Sequence, residues 1–189
     1  MTETNWPLTT PRLQVRPVED ADLEEIWAYR SLPDVRLWAG GSLEPEAFRD
    51  WFLKPADGSP RLVVLAEGRL VGDLMLVVQD AWAQREVVER AQATQALLGW
   101  AFHPDAGGRG LATEAVAELV RHAFEDLGLR RVMAECFTAN EPSWRLMERL
   151  GMRREAHHVL DSLHRDRGWQ DEYVYALLAD EWPSPSTSS

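Results

Sequence analysis

The chain has 189 residues, of which 45% are hydrophobic and 27% are charged, so disordered, collagen-like and coiled-coil proteins are poor matches. The formal net charge of -11 argues against a duplex nucleic-acid binder and a surface bound to anionic lipid. The single cysteine, Cys136, excludes an internal disulfide. Because the first residues lack a signal-peptide pattern and no apolar run approaches the ~20 residues of a membrane helix, we expect a cytoplasmic protein.

The hydrophobic pattern predicts a mixed α/β fold. After an extended lead-in to about residue 11, the pattern predicts a strand over 13–18 and a helix that is capped by Asp20 or Asp22 and runs to Arg30. Helical segments over 35–38 and from Ser42 come next, and then strands over 62–66, 70–78 and 95–102. The remainder is predicted as a helix over 111–126, a strand over 132–137, a helix over 142–150, and strands over 153–163 and 173–178. A charged connection over 80–93 carries Trp82 and is long enough to suggest a functional role.

The sharpest local feature is a glycine-rich turn between a strand and a helix, Gly107-Gly108-Arg109-Gly110. Glycine lets the backbone approach a ligand closely, and the first turn of a helix offers unpaired N–H groups and a partial positive charge. Together these features predict a phosphate or pyrophosphate site, to which Arg109 could add a charge contact. The alternative is a loop that only turns the chain, and neither a Walker motif nor a dinucleotide-binding motif is present.

The stretch 98–152 resembles the core of the GNAT superfamily of N-acetyltransferases. That family places coenzyme A on an Arg/Gln-x-x-Gly-x-Gly/Ala turn, which Gly107-Gly108-Arg109-Gly110-Leu111-Ala112 matches except that Gly107 replaces Arg or Gln. Residues 140–152, which begin Asn140-Glu141-Pro142-Ser143, are similar to a second family signature, Asn-x-x-Ser followed by Glu-x-x-Gly-Phe/Met. Thr113-Glu114-Ala115, the opening 8–13 and the closing 171–178 resemble the RimJ/RimL branch, the protein N-terminal acetyltransferases.

The resemblance implies a single GNAT-like α/β domain over 8–182, with a mixed, mostly antiparallel sheet of six to seven strands flanked by helices. Residues 183–189 are then a disordered Pro/Ser tail. The resemblance also implies acetyl-CoA as the cofactor. The residues expected to bind it are Phe102, Gly107, Gly108, Arg109, Gly110, Leu111, Ala112, Thr113, Asn140 and Ser143.

Acetyl transfer to an amine requires removal of a proton from the amine, polarisation of the thioester carbonyl and protonation of the leaving thiolate. Glu135 is the first candidate for the base, because related enzymes carry a Glu at this strand position; otherwise it faces solvent or pairs with an Arg. Asp171 and Glu172 are its rivals. Ser143 is the candidate acid or thiolate partner, with capping of the following helix as the alternative. No metal site is expected, because His157 and His158 are adjacent and would face opposite sides of a strand.

The acceptor follows from the chemistry and the resemblance together. At pH 7, deprotonation costs roughly 1.4 kcal/mol for an α-amine and roughly 4.6 kcal/mol for a lysine amine, which favours a protein N-terminus. The alternatives are a small cationic amine, either a polyamine or an aminoglycoside, and a non-catalytic domain that senses acetyl-CoA. The acceptor groove is expected to involve Trp38, Trp82 and Asp171, and a homodimer is compatible with the tryptophan content.

Overall fold

The computed structural model describes residues 6–40, 44–55 and 59–183, which form an α/β fold. The chain divides into two compact units, the first made of residues up to 77 and 98–122, the second of 78–97 and the residues from 123 onward. No helix in the described ranges has the length and apolar character needed to cross a membrane. The domain bounds 8–182 stay a prediction, and residues 184–189 of the predicted tail lie outside the described residues.

The elements follow the predicted order. In chain order they are β1 (Leu8–Thr9), β2 (Leu13–Pro17), α1 (Leu23–Arg30), α2 (Pro33–Arg36), α3 (Pro45–Leu53), β3 (Arg61–Ala66), β4 (Arg69–Gln79), β5 (Gln95–Phe102), α4 (Leu111–Arg121), β6 (Arg131–Phe137), α5 (Glu141–Arg149), β7 (Arg153–His164) and β8 (Gly168–Leu178). In the first unit the strand order is β1-β2-β3-β4-β5, and in the second it is β5-β6-β8-β7. The described residues therefore contain eight strands, more than the six to seven expected, and β1 lies in the segment predicted as an extended lead-in.

Two elements begin or end well away from their predicted bounds. Strand β8 begins at Gly168 rather than Tyr173. Its first residues are mostly polar and show no apolar alternation, but they pair with β7 in a hairpin, and this pairing makes them part of the strand. The helix predicted to reach Asp126 ends at Arg121 and continues as a π-helical turn over His122–Asp126. The charged connection contains a 3-10 helix over Arg85–Ala91. Ser42, predicted to open a helix, lies outside the described residues.

Helices α1, α2 and α3 pack with the sheet to form the core of the first unit. Ile26, Phe48, Phe52 and Val63 are each no more than 1% exposed in this cluster. The apolar positions of α3 recur at helical spacing, so a single face of the helix enters the core while charged residues occupy the other. Asp22 occupies the N-cap position of α1, but its side chain makes no capping hydrogen bond to that helix, so the predicted side-chain cap is wrong. Its carboxylate instead accepts a hydrogen bond from the backbone N–H of Glu19 at 2.8 Å, within the 3-10 turn Asp20–Asp22.

A buried ion pair ties α1 to the sheet. Asp73 on β4 is 3% exposed, and Arg30 donates to its two carboxylate oxygens from Nε at 2.8 Å and Nη2 at 2.6 Å. The Tyr29 hydroxyl donates to the same carboxylate. Burial and the neighbouring Asp73 charge raise the pKa of Tyr29, so the phenol stays protonated and keeps donating. The Arg30 guanidinium also lies over the Phe52 ring, 5.2 Å from its centroid.

Removing the charge of Asp73 should destabilise the protein strongly. Asp73→Asn leaves the Arg30 guanidinium buried without its counter-charge, so we expect the free energy of unfolding to fall by about 3 kcal/mol. The matched control is Asp50→Asn, whose ion pair with Lys54 is solvent-exposed and should contribute little. Urea denaturation of the two variants measures both effects, and equal losses would contradict the assignment.

Candidate cofactor turn and acidic sheet face

The glycine-rich turn adopts a conformation that requires glycine. After β5 the chain passes through a 3-10 helix over Pro104–Ala106, and Gly108 and Gly110 then take φ values of +70° and +75°. Gly110 is the N-cap of α4, and the four residues of the turn are exposed. These positive φ values are rarely adopted by residues with a side chain, so the positions of the glycines reflect a backbone requirement.

The turn presents N–H groups that no acceptor in the described part of the chain uses. Gly107 donates to the Pro104 carbonyl at 2.9 Å, but the N–H groups of Gly108, Arg109 and Gly110 donate none of the hydrogen bonds that the described residues form. At Leu111 and Ala112 the N–H groups belong to the first turn of α4 and have no partner inside the helix. A helix start with several unsatisfied N–H groups and the positive end of the helix dipole fits a pyrophosphate.

The other residues predicted to bind the cofactor are placed in different ways. Leu111 is 1% exposed, so only its backbone is available to a ligand, whereas Ala112 and Thr113 are half-buried. Phe102 ends β5 and lies across Gly72 on β4. A Cβ on Gly72 would lie 2.4 Å from Phe102 Cδ1, so glycine is needed for this approach. Sequence reasoning missed Gly72, although a glycine inside a strand pattern is a signal of close approach.

A second feature missed from the sequence is an ion pair at the start of α4. The guanidinium of Arg12, in the β1–β2 turn, donates to the Glu114 carboxylate from Nε at 2.6 Å and to the Arg109 carbonyl from Nη1 at 2.9 Å. The Thr10 hydroxyl donates to the same carboxylate at 2.5 Å. These residues lie in segments whose resemblance to RimJ/RimL was noted, but the pattern contains no indication that they meet.

In the second unit, α5 covers one face of the sheet. The Ser143 hydroxyl on α5 is hydrogen-bonded to the Cys136 thiol, and the Tyr175 hydroxyl on β8 donates to Glu148 at 3.0 Å. Burial raises the pKa of Cys136 to about 11, against the opposing effect of the Ser143 hydrogen bond. The thiol therefore stays protonated at neutral pH, and Cys136 is a small packed residue rather than a nucleophile.

Asn140 precedes α5 at the N-cap position. Its carbonyl accepts a hydrogen bond from the Ser143 N–H at 3.1 Å, but its side chain makes no capping hydrogen bond. An asparagine at this position usually caps the helix with its side chain. The side-chain amide of Asn140 is therefore not used for the helix start, and Ser143, whose hydroxyl contacts Cys136, does not cap α5 either.

Glu135 lies on the opposite face of the same sheet, within an acidic group. The β6–β8 register pairs Phe137 with Glu172, so Glu172 and Glu135 share a face, and the β7–β8 register places His158 opposite Glu172 on that face. Partial desolvation, then the charges of Glu172 and Asp161, raise the pKa of Glu135, while His158 acts in the opposite direction. We call Glu135, Glu172, Asp161 and His158 the acidic face.

Three members of the acidic face lie close enough to share a ligand. Single ligand atoms of His158, Asp161 and Glu172 lie within 4.8 Å of one another, a grouping that sequence spacing did not reveal because a bulge in β7 brings Asp161 back toward β8. Glu172 also accepts a hydrogen bond from the Ser162 hydroxyl at 2.7 Å. The carboxylates of this group give the face its negative charge.

Asp171, predicted to bind the acceptor or rival Glu135, has a different environment. Alternation along β8 places it on the face opposite Glu172 and Glu135. Its carboxylate accepts a hydrogen bond from the Leu160 N–H at 3.0 Å and contacts His157 Nε2 at 2.8 Å, and these two contacts lower the pKa of Asp171. Asp171 thus holds the β7 bulge, where Leu160 has a φ of +50°, and is separated from Glu135 by the sheet.

The two tryptophans predicted to line the acceptor groove lie in different units. Trp38 is half-buried after α2 in the first unit, and Trp82, in the second, is 89% exposed in the charged connection. Their role in acceptor binding stays a prediction.

Comparisons with known proteins define the family. Residues 12–153 match the acetyltransferase (GNAT) domain. The uncharacterized N-acetyltransferase YnaD of Bacillus subtilis (strain 168) is 27% identical over 179 residues, which are 93% of this chain and 98% of YnaD. A GNAT-family acetyltransferase structure from Bacillus anthracis is 30% identical, covers 93% of this chain and 99% of that chain, and has a TM-score of 0.76. Mycobacterium smegmatis RimJ in complex with CoA-disulfide shares the fold, with 22% identity, 91% and 84% coverage and a TM-score of 0.73.

The chain therefore belongs to the GNAT acetyltransferase family. It is an acetyl-CoA-dependent N-acetyltransferase that acts on an amine, and the expected cofactor and fold class are confirmed. The RimJ/RimL resemblance noted in the sequence agrees with the fold likeness to RimJ.

Replacing Gly110 should weaken acetyl-CoA binding. Gly110→Val places a β-branched residue at a φ of +75°, so the turn must change its backbone, and we expect affinity to fall by at least about tenfold. Gly128→Val is the matched control, because Gly128 has a φ of +67° and open space around its Cβ but belongs to the second unit rather than to the turn. Calorimetry gives the Kd and thermal unfolding the stability; equal Kd values for the two variants would refute the assignment.

Proposed function

We propose that this protein acetylates the N-terminal α-amine of a protein or peptide, with Glu135 as the general base. The observation that carries this proposal is the acidic face, where Glu135 has a raised pKa among further carboxylates. A carboxylate whose pKa is raised is a stronger base, and the surrounding negative charge attracts an amine that arrives protonated.

The first element of the proposal is the acetyl donor. The N–H groups of Gly108, Arg109, Gly110, Leu111 and Ala112 would hold the pyrophosphate, and the residues expected to contact the remainder of acetyl-CoA are Phe102, Gly107, Thr113, Asn140 and Ser143. The bound donor supplies an activated acetyl thioester. Because the chain carries a net charge of -11, the polyanionic donor needs a local positive potential, and the α4 start supplies one without relying on side-chain charge.

The second element is removal of the amine proton. Glu135 accepts it, directly or through one water molecule, and the charges of Glu172 and Asp161 favour its protonated state. The same charges stabilise the ammonium form of the acceptor before the transfer of the proton. Glu172 rather than Asp171 is the carboxylate that assists, since only Glu172 shares a face with Glu135.

The third element concerns the leaving thiolate. Ser143 is proposed to donate a hydrogen bond to it, and the Asn140 side chain, which is not used in capping α5, to bind the pantetheine arm. Ser143 lies on the α5 side of the sheet and Glu135 on the other. Because the amine attacks the same carbon that the thiolate leaves, the proposal requires donor and acceptor to meet at the end of β6, where both faces of the sheet can be reached.

The pKa of the acceptor favours an α-amine. A carboxylate base without a metal removes a proton most easily from an amine whose pKa is near 8, and a lysine amine is harder to deprotonate by roughly 3.2 kcal/mol. The second candidate acceptor is a small cationic amine, which the acidic face would also attract. The likeness to RimJ shows only the fold, so the choice depends on the chemistry of the site. Homodimer formation stays a prediction.

An acceptor panel tests the proposed function. Free-thiol release from acetyl-CoA is measured with peptides that begin with Ala or Ser, with spermidine and with kanamycin. The matched control is each peptide with a blocked N-terminus and an internal lysine. We expect turnover only with free α-amines. Turnover on spermidine or kanamycin alone would favour the small-amine alternative, and acetyl-CoA binding without any turnover would favour a sensor.

The acidic face predicts the direction of a pH effect. Glu172→Gln removes a negative charge that raises the pKa of Glu135, so the base ionises at lower pH. In a profile of kcat/KM against pH, the acid limb, where activity rises as Glu135 loses its proton, should therefore move to lower pH. His158→Gln removes an opposing influence and should move the limb to higher pH.

The reference and control variants use the same peptide. Glu135→Gln should lower kcat by about 100-fold or more without changing the Kd for acetyl-CoA. Asp171→Asn, which alters the contacts that hold the β7 bulge but leaves the Glu172 charge in place, should move the acid limb less than Glu172→Gln does. A Glu135→Gln variant with a normal rate would remove Glu135 as the base, and a limb that moves with Asp171→Asn instead of Glu172→Gln would give the assisting role to Asp171.

A further inference from the structure

The β1–β2 turn makes a dense set of contacts with the start of α4. Glu114 accepts hydrogen bonds from the Thr10 hydroxyl at 2.5 Å, from the Arg12 backbone N–H at 3.2 Å and from Arg12 Nε at 2.6 Å. Arg12 Nη2 lies 2.6 Å from the same carboxylate. A residue in the first turn of α4 is thus bound to a chain segment about 100 positions earlier.

The same guanidinium also holds the backbone of the glycine-rich turn. Arg12 Nη1 donates to the Arg109 carbonyl at 2.9 Å. In a planar trans peptide the C=O and the following N–H point in opposite directions. When Arg12 binds the Arg109 carbonyl on one side of the turn, the N–H of Gly110 must point to the other side.

We propose that Arg12 and Glu114 are positioning residues for the acetyl donor. They orient the Arg109–Gly110 peptide so that the Gly110 N–H is directed toward the pyrophosphate before it binds. Glu114 fixes the guanidinium, and the guanidinium fixes the peptide. This inference rests on the proposed use of the turn as the pyrophosphate site.

Orientation, rather than charge, is the contribution of the pair. Partial burial opposes the ionisation of Glu114, but the hydrogen bonds from Thr10 and Arg12 outweigh it and lower the pKa of the carboxyl. Glu114 is therefore negative at neutral pH and cancels the charge of Arg12. Without the charge of Arg12 beside it, a carboxylate in the first turn of α4 would repel a phosphate.

Stability should depend little on the pair. The Arg12 side chain is 50% exposed, and ion pairs at this exposure contribute little to folding. A loss of cofactor affinity in a stable variant would therefore report on the turn itself. This separation makes the inference testable.

The test is a double-mutant cycle on the Kd for acetyl-CoA, measured by calorimetry. Arg12→Met and Glu114→Gln should each weaken binding by about tenfold, because each releases the Arg109–Gly110 peptide. The double variant should bind acetyl-CoA no more weakly than the weaker-binding single variant, since both changes disrupt the same Arg12–Glu114 pair. A charge effect alone predicts opposite signs: Arg12→Met would weaken binding and Glu114→Gln would strengthen it.

Two controls separate orientation from general disruption. Glu155→Gln, which alters a carboxylate bound by Arg131 and Arg153 in the second unit, should leave the Kd unchanged. With acetyl-pantetheine, a donor that lacks the pyrophosphate, kcat/KM should be the same for the wild type, Arg12→Met and Glu114→Gln. Thr10→Val removes a single hydrogen bond to Glu114 and provides a milder variant should Arg12→Met fold poorly.

The outcomes distinguish this inference from the proposed function. Suppose that the wild type binds acetyl-CoA, that Gly110→Val loses affinity, and that Arg12→Met and Glu114→Gln both bind like the wild type. The positioning role is then overturned, and the pyrophosphate assignment stands. Opposite signs for Arg12→Met and Glu114→Gln overturn it as well. If the wild type does not bind acetyl-CoA, the proposed function fails and the positioning role fails with it.

Discussion

A polyanionic donor must be held by a protein whose own charge repels it. With a net charge of -11, long-range attraction is not available, so binding depends on short-range donors. In the proposed site the α4 start would provide them, through N–H groups of Gly108, Arg109 and Gly110 that donate no hydrogen bond within the described part of the chain. Backbone N–H groups bind an anion without adding a charged side chain to the surface, and the orientation of the peptide planes sets their direction.

That direction depends on tertiary contacts. Arg12 reaches the turn from the β1–β2 connection and holds the Arg109 carbonyl, while Glu114 holds Arg12. Phe102, at the end of the strand that leads into the turn, is packed closely on Gly72. The turn is therefore supported by three separate segments of the first unit, and its conformation is not a property of the glycines alone.

The proposed acceptor chemistry depends on strand register in the second unit. Two consecutive carboxylates on β8, Asp171 and Glu172, have opposite roles because a strand directs consecutive side chains to opposite faces. The charge of Glu172 raises the pKa of Glu135, whereas Asp171 holds a bulge in β7. This bulge in turn brings Asp161 to the acidic face, so a structural carboxylate on one side supports the electrostatics of the other.

The sequence by itself determined the order of elements, the turn and the family resemblance, because hydrophobic period, glycine position and local motifs are encoded within short segments. It also identified Glu135 as the candidate base. It could not distinguish the roles of Asp171 and Glu172, because the sequence does not show how β8 pairs with its neighbours and therefore which residue shares a face with Glu135. The start of β8 and the strand β1 depend on pairing with partners rather than on their own apolar pattern. Only the tertiary structure brought Arg12 to Glu114 and His158 to Glu172, because contacts between distant segments arise from packing, for which a single sequence contains no local signal.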